Sequence, residues 1–304
     1  MRKKSFFSLF LGLQLIDLIT SNAIGKNRTI KGEFALPGQF PHQVSIQAMT
    51  LRNCTEHFCG GSIIDRWHIL TAAHCFTNQA LREFLDIPWT VVAGTVDLKD
   101  RDHGVYRDVD TIFIPYNYTE NEIDEFDYDI AVLKLREPMP IGIEPYIDFV
   151  DLPRPDQYLP PDHREAVMSG FGTYYQTDMP DGEIVSGPIS QFLRFARAPI
   201  NVEEPGDGCY DDQVCVEAPD HLGGFCFGDS GGPLYDEDLQ TLIGVISHHS
   251  HYYCGDVSKY TRVSAYLDFI KAVRDDKFDD YNMVWYYNPH NYSLEYPKLS
   301  VCDI

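Results

Sequence analysis

Apolar positions along most of this chain come in short runs of Val, Ile, Tyr and Phe punctuated by glycine and proline, a pattern that predicts many short β-strands joined by turns. Two stretches depart from it. Phe6 to Ile19 forms one apolar run behind Arg2, Lys3 and Lys4, and it leads to a plausible cleavage site at Ser21-Asn22-Ala23. That is the layout of a secretory signal over residues 1–23, and the run is broken by Gln14 and Asp17 and falls short of the ~20 residues of a membrane helix. No later segment is apolar enough to span a bilayer, so an exported protein without a membrane anchor is expected. The second departure is near the other end, where Val263, Tyr266, Leu267, Ile270 and Val273 recur at helical spacing and predict a helix closing at Arg274.

The roughly 280 residues after the signal are enough to bury a substantial core, and short strands in that number suit a double β-barrel. With 46 acidic against 24 basic residues the formal charge is −22, which disfavours nucleic acid and anionic membrane as partners. Acidic runs such as Glu120 to Asp129 and Asp275 to Asp280 read as solvated faces. Eight cysteines in an exported chain imply disulfides whose pairing the sequence alone leaves open.

The candidate chemistry sits in three separated motifs. Cys226-Phe227-Gly228-Asp229-Ser230-Gly231-Gly232-Pro233 places a serine in a glycine-rich turn whose N–H groups can face a substrate. A serine hydroxyl is a poor nucleophile near neutral pH and needs a general base and a group that orients the base. His74 in Leu70-Thr71-Ala72-Ala73-His74-Cys75, and Asp129 in Asp127-Tyr128-Asp129-Ile130-Ala131-Val132-Leu133, supply residues of both types. The order His, Asp, Ser with these flanking residues resembles the chymotrypsin-like (trypsin-fold) serine proteases, over about Thr29 to Arg274.

The resemblance implies an all-β fold: two six-stranded antiparallel Greek-key barrels with a C-terminal helix. The barrels would span about 29–148 and 165–274, with a linker carrying Pro153, Pro155, Pro160 and Pro161, and residues 275–304 form an extension outside the resemblance. It further implies that Ser230 attacks a peptide carbonyl, that His74 transfers the proton, and that Asp129 orients the imidazole, with the N–H groups of Gly228 and Ser230 as an oxyanion hole. Ser247 matches the serine that supports the buried aspartate. The implied disulfides are Cys59–Cys75, Cys209–Cys215 and Cys226–Cys254. Cys54 and Cys302 are left over; the even count favours a bridge between them that pins the tail to the first barrel, and an intermolecular bridge or two free thiols would also fit. A further family bridge is missing, because Ala166 and Asp236 occupy its places.

Arg28 before Thr29-Ile30-Lys31-Gly32 resembles a zymogen cleavage junction, with residues 24–28 as a short activation peptide. The new N-terminus, Thr29, would then pair with Asp229. Thr29 departs from the usual Ile or Val, and its hydroxyl must find a partner on burial, so an active state weaker by ~1 to 2 kcal/mol is expected. Gly224 stands at the pocket floor where relatives that cut after Arg or Lys carry an aspartate. An apolar P1 residue is therefore expected. His248 and His249 form an unusual wall, with His249 narrowing the entrance in the manner of elastases, and counting places Ser258 rather than Asp256 at the floor. Asn53, Asn117 and Asn291 head glycosylation sequons, as does Asn27 beside the cleavage bond.

No cofactor is expected. His248, His249 and His251 are not expected to bind metal, though their protonation would alter the cleft near pH 6 to 7. Thr95 stands where calcium-binding relatives carry an acid. The reading is a secreted, monomeric, zymogen-derived serine endopeptidase with chymotrypsin- or elastase-like preference. Its partners are protein or peptide substrates, an activating trypsin-like protease and protein inhibitors. The alternatives are a protease-fold binding or regulatory protein with little activity, and a broad or collagenolytic protease accepting basic residues through Asp256.

Overall fold

The computed structural model describes residues 26–29, 32–50, 52–77, 88–120, 126–155, 164–179, 182–201, 209–216, 224–249, 254–255, 257–292 and 299–302. The signal-like start, Pro160, Pro161, His251, Asp256 and Tyr296 lie outside them. Six strands, Gln43–Met49, Thr55–Ile63, His68–Thr71, Trp89–Ala93, Val105–Pro115 and Ala131–Leu135, close into a first antiparallel barrel through pairing of the last two. Six more, Glu165–Gly170, Arg194–Asn201, Gln213–Val216, Pro233–Asp236, Thr241–His249 and Ser258–Arg262, close into a second through pairing of the first two. Numbered within each barrel, both sets of strands run 1-2-3-6-5-4 around the ring. Closure pairs each of these strands on both sides over part of its length, which suits strands as short as four residues.

Each barrel also carries one added strand contributed from the other half of the chain. Glu33–Phe34 pairs with Arg194–Asn201 of the second barrel, and Met283–Tyr287 pairs with Val105–Pro115 of the first. The helical stripe near the end becomes a 3-10 turn, Val263–Tyr266, leading into the α-helix Leu267–Arg274. Val263, Tyr266, Ile270 and Val273 are buried as their spacing predicts, and Phe269 joins them. The helix packs this stripe into the core of the first barrel, alongside Ile114 and Leu133. In place of the missing family bridge, Arg164 pairs with the fully buried Asp236 at 3.0 Å.

Met283–Tyr287, in the aromatic C-terminal extension, thus adds a strand to the first barrel. Phe278 stacks on Phe113, Trp285 packs on Phe278, and the Arg136 guanidinium lies over the Tyr287 ring. Beyond it, Val301 bridges to Thr55 and Cys302 is bonded to Cys54, closing a loop 248 residues apart in sequence. The chain-entropy cost of opening a loop that long is ~5 kcal/mol, with measured disulfides reaching ~2 to 5 kcal/mol. Cys302→Ser should therefore lower the thermal midpoint by several degrees at least. An unchanged midpoint in a thermal melt would mean that strand pairing alone holds the tail.

Candidate active site

His74 opens the short helix His74–Thr77 immediately after the strand His68–Thr71, and the Cys59–Cys75 disulfide ties that helix to the strand Thr55–Ile63. Asp129 lies just before the strand Ala131–Leu135 and is fully buried. Its Oδ1 accepts the His74 backbone N–H at 2.9 Å, and its Oδ2 accepts His74 Nδ1–H at 2.8 Å and the Ser247 hydroxyl at 2.5 Å. Burial pushes this carboxyl upward, but the His74 charge and the hydrogen bonds from His74 and Ser247 outweigh it and hold the pKa below the ordinary value. The aspartate is thereby kept ionised, with its lone pairs committed to one imidazole orientation. Thr261 Oγ1 donates to the Asp129 carbonyl, so the second barrel also holds this residue in place.

The Ser230 turn docks on the same region. The Gly60 N–H donates to the Ser230 carbonyl at 2.7 Å, Cys75 Sγ lies 3.9 Å from that oxygen, and Gly231 is packed against Thr71 and Ala72, two residues before His74. Within the turn the N–H groups of Asp229, Gly231 and Gly232 are used internally, by the carbonyls of Cys226, Ile246 and Asp229. Those of Gly228 and Ser230 donate to no described residue, leaving a pair of backbone donors available to a ligand. Gly228 has φ of 96°, a conformation that a side chain would strain.

Asp229 turns inward beside the serine, where Oδ1 accepts from Gly172 N at 2.7 Å and Oδ2 from Cys226 N at 2.9 Å. Gly170 and Gly172 must be glycine for this to happen, since a Cβ on either would fall within 2.0 or 2.5 Å of the carboxylate. Desolvation raises the Asp229 pKa to about 6 against those two hydrogen bonds, and no cation pairs with it among the described residues. It lines a cavity together with Gly32, Met168, Gly224, Phe225 and Ile246. Thr29 is the last residue of the strand Lys26–Thr29, which pairs with Tyr175–Asp178, so the chain enters this cavity's wall only three residues later.

Ser258 Oγ is 3.1 Å from where a Gly224 Cβ would sit, which puts Ser258 beside Gly224. Of the wall residues, Ser247 and His248 are nearly buried, and the His249 ring stacks on Phe225.

A family model described as Trypsin matches residues 29–270. The chain belongs to the trypsin family. It is a serine endopeptidase, 33% identical to chymotrypsin-C of Mus musculus over 80% of this chain and 88% of that relative. It is 34% identical to serine protease SP24D of Anopheles gambiae, over 81% of this chain and 80% of the other. The solved structure of human heparin binding protein superposes with a TM-score of 0.63 at 26% identity, covering 81% of this chain and 97% of that one.

Two residues of the protease that sequence reasoning passed over complete the loop's support. His57, buried in the strand Thr55–Ile63, places Nε2 2.8 Å from the Gly228 carbonyl and Nδ1 2.7 Å from Ser45 Oγ. Burial lowers its pKa to about 4, so it is neutral: Nε2–H donates to Gly228 and the Ser45 hydroxyl donates to Nδ1. A lone histidine in a strand carries no spacing that announces this role. His249 corrects the expected protonation near pH 6 to 7, because burial and then the neighbouring His248 lower its pKa to about 4 and leave it uncharged there. Among the described residues the one cluster with metal-ligand spacing is Cys59, His74 and Cys75, whose two sulfurs are spent in a disulfide. The Cys209–Cys215 and Cys226–Cys254 bridges are formed as well. Asn53 and Asn117 are exposed and Asn291 is half-buried. Among the described residues no helix is long and apolar enough to cross a membrane.

Proposed function

We propose that this endopeptidase is exported as a zymogen, is activated by cleavage after Arg28, and hydrolyses peptide bonds through Ser230, His74 and Asp129. Ser230 Oγ attacks the scissile carbonyl as His74 takes its proton; the Gly228 and Ser230 N–H groups receive the developing oxyanion; His74 then protonates the leaving amine. Water repeats the sequence on the acyl-enzyme and releases Ser230. The observation that carries this reading is the convergence of His74 Nδ1 and the Ser247 hydroxyl on one buried Asp129 oxygen, a positioning device with no use in an inert core.

The freed Thr29 ammonium would enter the cavity beside Asp229, and Gly224 at the floor, where relatives that cut after Arg or Lys carry an aspartate, favours an apolar P1 residue. The protease acts as a monomer, activated by a trypsin-like enzyme and restrained by protein inhibitors. Heparin, for which the superposed human protein is named, is not a fitting ligand for this chain, since a formal charge of −22 repels a polyanion.

The test is labelling with a fluorophosphonate probe before and after limited trypsin treatment, with N-terminal sequencing of the labelled band. Covalent labelling at Ser230 should rise sharply when a new terminus at Thr29 appears. A clean cut after Arg28 without labelling would remove the catalytic reading.

A further inference from the structure

We infer that the primary specificity pocket of this protease is filled from within by Phe225 and His249, so that it accepts P1 residues with the smallest side chains, glycine and alanine. The inference rests on the proposed function and narrows its substrate class.

The pocket lies between two segments, Gly224–Cys226 and Ser247–His249, with the Cys226–Cys254 disulfide tying the first to the far end of the second's loop. A P1 side chain has to pass between them. Here each segment sends a ring into that space. Phe225 is 3% exposed, and its ring is stacked on His249 with centroids 4.1 Å apart and planes 25° from parallel. Two stacked rings at that separation are in van der Waals contact, so nothing fits between them. From its other side Phe225 meets the fully buried Tyr260 edge-on, at 5.4 Å, and it belongs to the core of the second barrel with Leu234 and Ile246. Beside Gly224 the space is narrow on one side: a Cβ there would come within 2.9 Å of Gly255 Cα. Phe225 is thus a core residue whose outer face has become the end wall of the pocket, and His249 is the lid on it.

A large P1 ring could enter only by separating this stack and pulling Phe225 from the core contacts that hold it. A methyl group needs no such displacement. Discrimination by one or a few carbons in an apolar pocket runs from about tenfold to a few hundredfold, which sets the scale expected here.

The experiment uses the Thr29 form with succinyl-Ala-Ala-Pro-X-p-nitroanilides, X being Ala, Leu or Phe, and active sites counted by diisopropyl fluorophosphate, which needs no P1 ring. The wild type should prefer Ala to Phe in kcat/KM by about tenfold or more, and F225A or H249G should shift that ratio toward Phe by a similar factor. H249G, at a partly exposed position, keeps the test available where F225A does not fold. A wild type that cleaves after Phe at least as well as after Ala would overturn the inference, as would variants that leave the ratio unmoved. Where no site titrates, it is the protease reading that fails. Indole binding followed by saturation-transfer NMR then decides the pocket: binding to H249G or F225A and not to the wild type supports filling, and equal binding to all three overturns it.

Discussion

Asp129→Asn is expected to lower kcat by about four orders of magnitude with little change in KM, and to lower the thermal midpoint as the buried charge is lost. The substitution keeps the shape of a buried side chain while altering one property, its ability to accept from every neighbour. At present both carboxylate oxygens only accept: from the His74 backbone, from His74 Nδ1–H and from the Ser247 hydroxyl. An amide in this position must direct an NH2 at one of these donors. Turned toward His74, it donates to Nδ1 and moves the ring proton to Nε2, the nitrogen that has to take the Ser230 proton. The base is then present in the wrong tautomer, and the developing imidazolium loses its counter-charge. Ser230→Ala, which removes the nucleophile itself, should cost about 10^6 in kcat. Steady-state kinetics on the cleaved enzyme check both. An Asp129→Asn variant retaining a tenth of the wild-type rate would show that His74 is oriented by something other than this carboxylate. The folded-state pKa of Asp129 is depressed, so its ionised form contributes stability above the ordinary carboxylate pKa and that contribution is lost as pH falls through the depressed value. Acid inactivation should therefore include partial loosening of the contact between the barrels, where the Ser247 hydroxyl of the second barrel donates to the Asp129 carboxylate.

Much of this arrangement is legible in the sequence because the candidate catalytic motifs are local: each of His74, Asp129 and Ser230 sits in a short segment whose neighbours are dictated by the same turn or strand. The terminal helix is legible for a similar reason, since its apolar stripe repeats every three to four residues. What escapes is what depends on distant partners. His57 matters because the strand that carries it passes under the Gly228 carbonyl, 171 residues away. Phe225 looks like any aromatic beside a cysteine until the opposite wall brings His249 onto its face. The strand Met283–Tyr287 is hidden because only Met283 is buried, while Trp285, Tyr286 and Tyr287 face outward, so alternation of apolar and polar residues is absent. Its register is set by the free edge of Val105–Pro115, beyond the point where Trp89–Ala93 stops pairing with it.

Cleavage after Arg28 is expected to raise the rate of fluorophosphonate labelling by about a hundredfold at pH 7.5, and to raise the thermal midpoint with it. The reason lies in Asp229. Its pKa is about 6 in the folded chain against an ordinary 3.8, so the folded state binds the proton more tightly than the unfolded one. Stability linked to this group is therefore intact below about pH 4, declines as pH rises from 4 to 6, and stays reduced above 6 by about 3 kcal/mol. That is the cost of holding an unpaired carboxylate against Gly172 and Cys226, and it disfavours the arrangement that leaves the Gly228 and Ser230 donors open. A countercharge that removes a penalty of this size can favour that arrangement by about a hundredfold. The proposed Thr29 ammonium would supply the missing countercharge, and as an amine with an ordinary pKa near 7.7 to 8, raised by the pair, it would contribute until pH climbs through that raised value. The midpoint difference between cleaved and uncleaved protein should thus be widest between about pH 6 and 8 and shrink on both sides. The cavity wall of Met168, Phe225 and Ile246 is apolar, so Thr29→Ile should widen the difference further by replacing a hydroxyl with methylene and methyl groups. Paired thermal melts across pH 4 to 9, with labelling rates at each point, measure all three effects. A difference that is flat with pH would show that the new terminus is seated somewhere other than on Asp229.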